Sequence, residues 1–227
     1  MKILIRWLVV LLVCSGLVFL LSPLMDVYLS LLPYDHLTNK FYGETHWWCK
    51  IVYYGVSVAT VLLATVPLIL FIWKYRTSSI TQKQLLKRMV LISYLSLILG
   101  PGLLANSFFK QNWGRARPYQ VIRDHHPFSY PWQPHFDRPA DNSFPSGHVT
   151  IGAFLGIPFI AARRRKLGLA LCAGGFVVVG TLRWLQGGHY FSDIMMAAIF
   201  IWMVNILVTM FVDRYFMTKD KADLKLT

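Results

Sequence analysis

The chain has 227 residues, 56% of them hydrophobic and 15% charged, with a formal net charge of +13 and a mean hydropathy of +0.48. Few water-soluble domains hold this much apolar sequence in long runs, so a bilayer protein with one membrane domain over residues 1–227 is expected. The bases sit mostly in short segments beside apolar runs, where topology determinants belong, and not on a solvated basic domain, which excludes nucleic-acid binding.

Residues 3–22 are apolar apart from Arg6. Lys2 and Arg6 would suit a signal peptide, but the run is long and no clear small-x-small cleavage site follows, so a retained first helix is expected. Residues 23–50 are mixed, and Tyr28, Tyr34, Trp47 and Trp48 suit an interfacial belt, with a short surface-lying segment expected at Val27–Leu32. Ile51–Trp73 is the second expected span and Met89–Phe109 the third, the latter kinked at Gly100-Pro101-Gly102. Residues 110–147 are the longest polar stretch, rich in Pro, His and aromatics, and loops of that length in compact proteins are usually functional. A fourth span is expected at His148–Ala162, short unless it begins near Ser146, a fifth at Leu167–Leu182, and a sixth with its core at Ile194–Val212 and its start near His189. Cys14 and Cys172 lie inside apolar runs and Cys49 has no evident partner, so no disulfide framework is expected.

Six spans with the N terminus inside leave fifteen Lys and Arg on the inner side against eight on the outer. That is the asymmetry of a positive-inside topology, with both termini inside. The stretches 110–118, 145–148 and 183–193 then all fall on the outer side, a condition for one shared site.

Those stretches carry the chemistry. His189 and Asp193 are four residues apart, so on one helix they share a face, and Asp193 is expected to hold one ring nitrogen while the other points outward as nucleophile or base. Ser146-Gly147-His148 at a helix start offers free amides, a hydroxyl and an imidazole able to protonate a leaving oxygen. Lys110, Arg115, Arg117 and Arg183 supply cations, and an Arg fork matches phosphate oxygens. Each part has a plain explanation alone: a helix-end pair, a Ser N-cap, a snorkelling Arg, bases near lipid headgroups. Together they suit gripping a phosphate and attacking its phosphorus.

The combination resembles the signature of the phosphatidic-acid phosphatase type 2 (PAP2) superfamily: K-x6-R-P at Lys110…Arg117-Pro118, P-S-G-H at Pro145–His148, and R-x5-H-x3-D at Arg183…His189…Asp193. The one departure is Leu182, where a small residue is usual. The resemblance implies an all-α six-transmembrane-helix bundle of the PAP2/acid phosphatase–vanadium haloperoxidase type and a phosphatase needing no metal or other cofactor. It implies that Lys110, Arg117, Arg183, Ser146 and Gly147 hold phosphate, that His189 oriented by Asp193 forms a phosphohistidine, and that His148 protonates the leaving group. The run WGRARP is similar to the W-G-R-x-R-P of bacterial lipid phosphatases, some of which act on lipid A.

Soluble haloperoxidases share the signature, but the apolar spans argue against one here. A transporter would carry repeats and midplane polar groups, and the loop histidines His125, His126 and His135 lack a compact ligand pattern. A phosphotransferase uses the same residues as a hydrolase, so that alternative stays open. The expected substrate is a phosphorylated membrane lipid at the outer face of a bacterial inner membrane: lipid A (1- or 4′-phosphate) first, then undecaprenyl pyrophosphate or phosphatidylglycerol phosphate. Arg115, Tyr119, Tyr130 and Trp132 are candidate headgroup contacts.

Overall fold

A computed structural model describes residues 2–138 and 141–223. In chain order its elements are α1 (Lys2–Leu31), β1 (Tyr34–Asp35), β2 (Lys40–Phe41), α2 (Tyr42–Thr45), α3 (Trp47–Tyr75), α4 (Ile80–Leu97), a π-helical segment (Ile98–Phe109), α5 (Lys110–Asn112), α6 (Pro118–Ile122), α7 (Gly147–Phe154), α8 (Ile157–Ala161), α9 (Arg165–Leu185) and α10 (Phe191–Asp223). Among the described residues five helices are long and apolar enough to cross a membrane: Lys2–Leu31, Trp47–Tyr75, Ile80–Asn112, Arg165–Leu185 and Phe191–Phe216. The sixth apolar stretch, Gly147–Ala161, is shorter. At ~1.5 Å per residue it reaches about 22 Å, less than a hydrocarbon core of ~30 Å.

The first helix differs from expectation. The surface-lying segment at Val27–Leu32 does not form, because α1 runs straight through Pro23 to Leu31. Proline removes the N–H that would bond the Phe19 carbonyl, and the Ser22 hydroxyl donates to that carbonyl instead, at 3.0 Å. The extra turns bring Ser22, Asp26 and Ser30, spaced four apart, onto one buried face of the helix.

The third span handles its Gly-Pro-Gly differently. The helix shifts to π-type hydrogen bonding over Ile98–Phe109, and the Asn106 side chain donates to the Pro101 carbonyl at 2.6 Å. Widened helical turns are rare and collect at functional sites. This one ends at Lys110.

The core lies between α4, α7, α8, α9 and α10, where Ile92, Phe154, Ile157, Cys172, Ala198 and Ile201 are buried together. The pair α7–α8 packs against α9 without intervening side chains: a Cβ on Gly156 would lie 2.6 Å from the Gly168 carbonyl carbon. Small residues permit that approach in apolar bundles. On the flanks, α1 packs on α10 through Leu11, Met196 and Ile199, and α3 on α7 and α9 through Val56, Val149 and Val179. The long apolar side chains left exposed on α1 and α3, such as Leu20, Leu24, Val58 and Ile69, face outward as in a lipid-contacting surface. At one end of the bundle the β1–β2 hairpin buries Phe41 against the turn at Gly187.

Candidate active site

The stretches 110–118, 145–148 and 183–193 meet at that end of the bundle. Lys110 follows the π-helical segment, Arg117 precedes α6, Ser146 precedes α7, Arg183 lies in the last turn of α9, and His189 stands two residues before α10. Arg117 donates from Nε and Nη2 to the Asn142 side-chain oxygen at 3.1 and 2.6 Å. Arg183 donates from Nη1 to Gln186 at 2.6 Å, and its guanidinium carbon lies 5.3 Å from the centre of the Tyr53 ring. Among the described residues no carboxylate pairs with Lys110, Arg117 or Arg183. All three cations act electrostatically on both His148 and His189, which places the two imidazoles around one positive centre.

Two buried polar atoms here lack a hydrogen-bond partner among the described residues: Ser146 Oγ and Arg183 Nε. Such atoms are costly unless something else satisfies them, and an anion does so. Ser146 makes no side-chain cap to α7, and the first amides of a helix have no partner within it. Gly147 keeps the cradle open: a Cβ there would stand 3.1 Å from Lys110 Nζ. Gly188 does the same behind Arg183, since a Cβ would lie 2.7 Å from the guanidinium carbon.

His189 departs from the expected arrangement. It is not on α10 with Asp193; it lies in the turn before that helix. Its Nδ1 is 3.9 Å from Asp193 Oδ2, too far for a hydrogen bond, and 2.6 Å from the Ser143 carbonyl. A carbonyl only accepts, so Nδ1 carries the proton and Nε2 keeps its lone pair. Burial, then the charges of Arg183, Arg117 and Lys110, hold the His189 pKa well below the ordinary imidazole value, against a smaller opposing pull from the Ser143 carbonyl. At neutral pH the ring is therefore neutral. His148 stacks on Tyr53, with ring centroids 4.5 Å apart.

Arg115 corrects another expectation. It is fully buried and cannot touch a headgroup. Nη2 donates to Asp26 Oδ2 at 2.8 Å and Nη1 to Ser192 Oγ at 2.9 Å and to Asp193 Oδ1, while Nε donates to the Ser129 carbonyl at 2.9 Å. Burial opposes its charge, but the Asp193 and Asp26 carboxylates more than offset this and raise its pKa. Of the loop aromatics, Tyr119 lies by Arg183 and its N–H bonds the Gly187 carbonyl at 3.0 Å. Tyr130 and Trp132 stack on each other at 4.9 Å, and Trp132 meets Phe19 of α1 edge-on. That contact turns the pair toward the first helix.

Sequence reasoning missed Tyr53, Asn142, Ser143, Gln186 and Asp26. Only Asp26 had a signal, its place in the Ser22-Asp26-Ser30 stripe. Among the described residues no group of three His, Cys, Asp or Glu side chains comes together as a metal site would require.

A neutral imidazole stands at one end of an apolar bundle beside a helix start and three cations that no carboxylate pairs with among the described residues, and such an arrangement suits an anionic group. The chain belongs to the PAP2 superfamily, which matches residues 86–216. It is also similar to the lipid A 4′-phosphatase of Francisella tularensis subsp. novicida (strain U112), at 28% identity over 206 residues, 84% of this chain and 87% of that protein. No solved structure matches the chain.

Proposed function

We propose that this protein is a membrane lipid phosphatase that works through a phosphohistidine, with lipid A as its first candidate substrate. Two supports carry the chemistry: the superfamily match, and the unpartnered Ser146 Oγ and Arg183 Nε beside the neutral His189. Lys110, Arg117 and Arg183 hold the phosphate oxygens, and the Ser146 hydroxyl and Gly147 amide complete the cradle. His189 Nε2 attacks phosphorus. A P–N bond forms as the P–O bond to the lipid breaks, and His148, charged by a proton that the phosphate brings in, passes that proton to the departing oxygen. Water then attacks the phosphohistidine, His148 takes its proton, and inorganic phosphate leaves with His189 neutral again.

The preference for lipid A rests on the similarity to the Francisella enzyme and on the WGRARP run. The chain is read as one domain of six spans, the short Gly147–Ala161 segment being the fourth. Its site faces the periplasm and both termini lie in the cytoplasm of a bacterial inner membrane, as the distribution of Lys and Arg favours. Incubating the purified protein in detergent with lipid A, undecaprenyl pyrophosphate and phosphatidylglycerol phosphate tests the reading. Free phosphate, most from lipid A and first from its 4′ position, is expected. A phosphorylated acceptor lipid in place of free phosphate would make it a phosphotransferase, and no phosphate movement from any of the three would refute it.

A further inference from the structure

The superfamily match begins at residue 86, so α1 lies outside it. Yet Asp26, near the outer end of α1, is fully buried against residues of the site. Its Oδ1 accepts the Ser192 N–H at 2.9 Å, and its Oδ2 accepts the Ser192 hydroxyl at 2.6 Å and Arg115 Nη2 at 2.8 Å. Ser192 is in the first turn of α10, where the opening amides have no partner within the helix. A carboxylate from a different helix thus caps α10 and compensates its N-terminal dipole.

The contacts continue inward. Arg115 joins Asp26 to Asp193. Asp193 Oδ2 accepts the Ser143 hydroxyl at 2.6 Å and the Tyr190 N–H at 3.0 Å. Ser143 is fixed on its other two polar groups as well: its N–H bonds the Arg115 carbonyl at 2.8 Å, and its own carbonyl receives His189 Nδ1. The neighbouring residue, Asn142, holds Arg117. One ladder of buried polar groups therefore runs from the first helix to the nucleophile and to one of the phosphate-binding cations.

We propose that Asp26 is a positioning residue for the phosphatase reaction, acting through Arg115, Asp193 and Ser143 on the aim of His189, so that α1 is part of the active site. A lone Arg115 facing Asp193 would be drawn toward it, and Asp193, Ser143 and the His189 ring would shift with it. Near-attack geometry tolerates little displacement, and ~1 Å costs on the order of a hundredfold in rate. Asp26 touches no substrate atom in this arrangement, and of the three phosphate-binding cations only Arg117 hangs on the ladder, so removing Asp26 lowers kcat more than it weakens ground-state binding.

The claim rests on the phosphatase reading, and the test separates the two. Asp26→Asn and the milder Ser192→Ala are compared with the parent for kcat and KM on lipid A per folded, monodisperse protein, and for orthovanadate affinity. Vanadate imitates the five-coordinate transition state and reports the aim of His189 without any lipid. The expected result is a kcat lowered about ten- to a hundredfold in Asp26→Asn, KM within twofold, and vanadate binding weakened by a similar factor. Ser192→Ala shows the same pattern at smaller size and decides the matter should Asp26→Asn fail to fold. Parent-like kcat and vanadate affinity in the folded variants, or a raised KM with kcat unchanged, would overturn it. A parent that releases phosphate from no lipid refutes the phosphatase reading, while vanadate affinity still judges the positioning role.

Discussion

His189 Nδ1 meets the Ser143 backbone carbonyl at 2.6 Å, while the Asp193 carboxylate stands 3.9 Å off. The tautomer is thus set by a group that no side-chain substitution removes, and Asp193 acts one contact further out. Substitutions at the two residues should therefore differ in depth. His189→Ala should cut kcat by on the order of 10^4-fold or more. Asp193→Asn should lose only about 10^2-fold, since the imidazole keeps its proton in place. Steady-state kinetics on purified variants check this, and equal losses would mean the carboxylate handles the imidazole proton directly.

The depressed His189 pKa has a sign that can be followed. Only the neutral ring has a lone pair on Nε2, so activity falls as pH drops through that pKa. Because it lies well below 6.5, the acidic limb of kcat/KM should lie well below the ordinary imidazole range. Lys110→Ala removes one of the cations that disfavour the protonated ring, so its limb should move to higher pH. Comparing variant with parent on one substrate cancels the substrate's own ionisation, and a limb that stays put or moves down would contradict the charge argument.

Ser146 separates binding from stability. Its hydroxyl is buried without a partner among the described residues, and burying an unsatisfied polar group costs ~1–3 kcal/mol. Ser146→Ala should leave the unfolding temperature unchanged or slightly higher while kcat/KM falls about tenfold, the worth of one hydrogen bond to a charged group. Thermal unfolding in detergent and phosphate release measure the two halves. A fall in both would mean the hydroxyl supports the fold.

Much of this arrangement was legible in the sequence, for definite reasons. Apolar runs of about twenty residues have few structural solutions, so α3, α9 and the core of α10 lie where hydropathy put them. The signature stretches were legible because each begins or ends beside an apolar run, Lys110 after Phe109, His148 before Val149 and Asp193 before Ile194. Asp26 was hidden by Pro23, which reads as a helix end until the Ser22 hydroxyl is seen to take over the Phe19 carbonyl. Arg115 was misread because sequence shows its charge and not its burial. Ser143 contributes a backbone carbonyl, to which side-chain pattern is blind.

The mechanism proposed here draws its electrostatic stabilisation from Lys110, Arg117 and Arg183, and this sets an expectation for inhibitors. Incubation with EDTA should leave phosphate release within twofold of the untreated protein, and orthovanadate should inhibit competitively by occupying the cradle. Activity lost to EDTA and restored only by zinc or magnesium would require a different source of that stabilisation.

Arg115 offers the sharpest contrast between a headgroup contact and a buried hub. A headgroup contact replaced by alanine would raise KM and spare the fold. Arg115 is instead enclosed with Asp26 and Asp193, all three inaccessible to water. Removing the cation leaves two carboxylates facing each other in a buried space, and breaking such a pair costs ~3–5 kcal/mol. Arg115→Ala should accordingly lower the unfolding temperature and the yield of monodisperse protein for every substrate alike. Adding Asp26→Asn to Arg115→Ala removes one stranded charge and should recover part of that loss, because the two sites share one network and their effects do not add. Thermal unfolding of both single variants and the double variant completes the cycle. Strict additivity would mean that Arg115 and Asp26 do not act together.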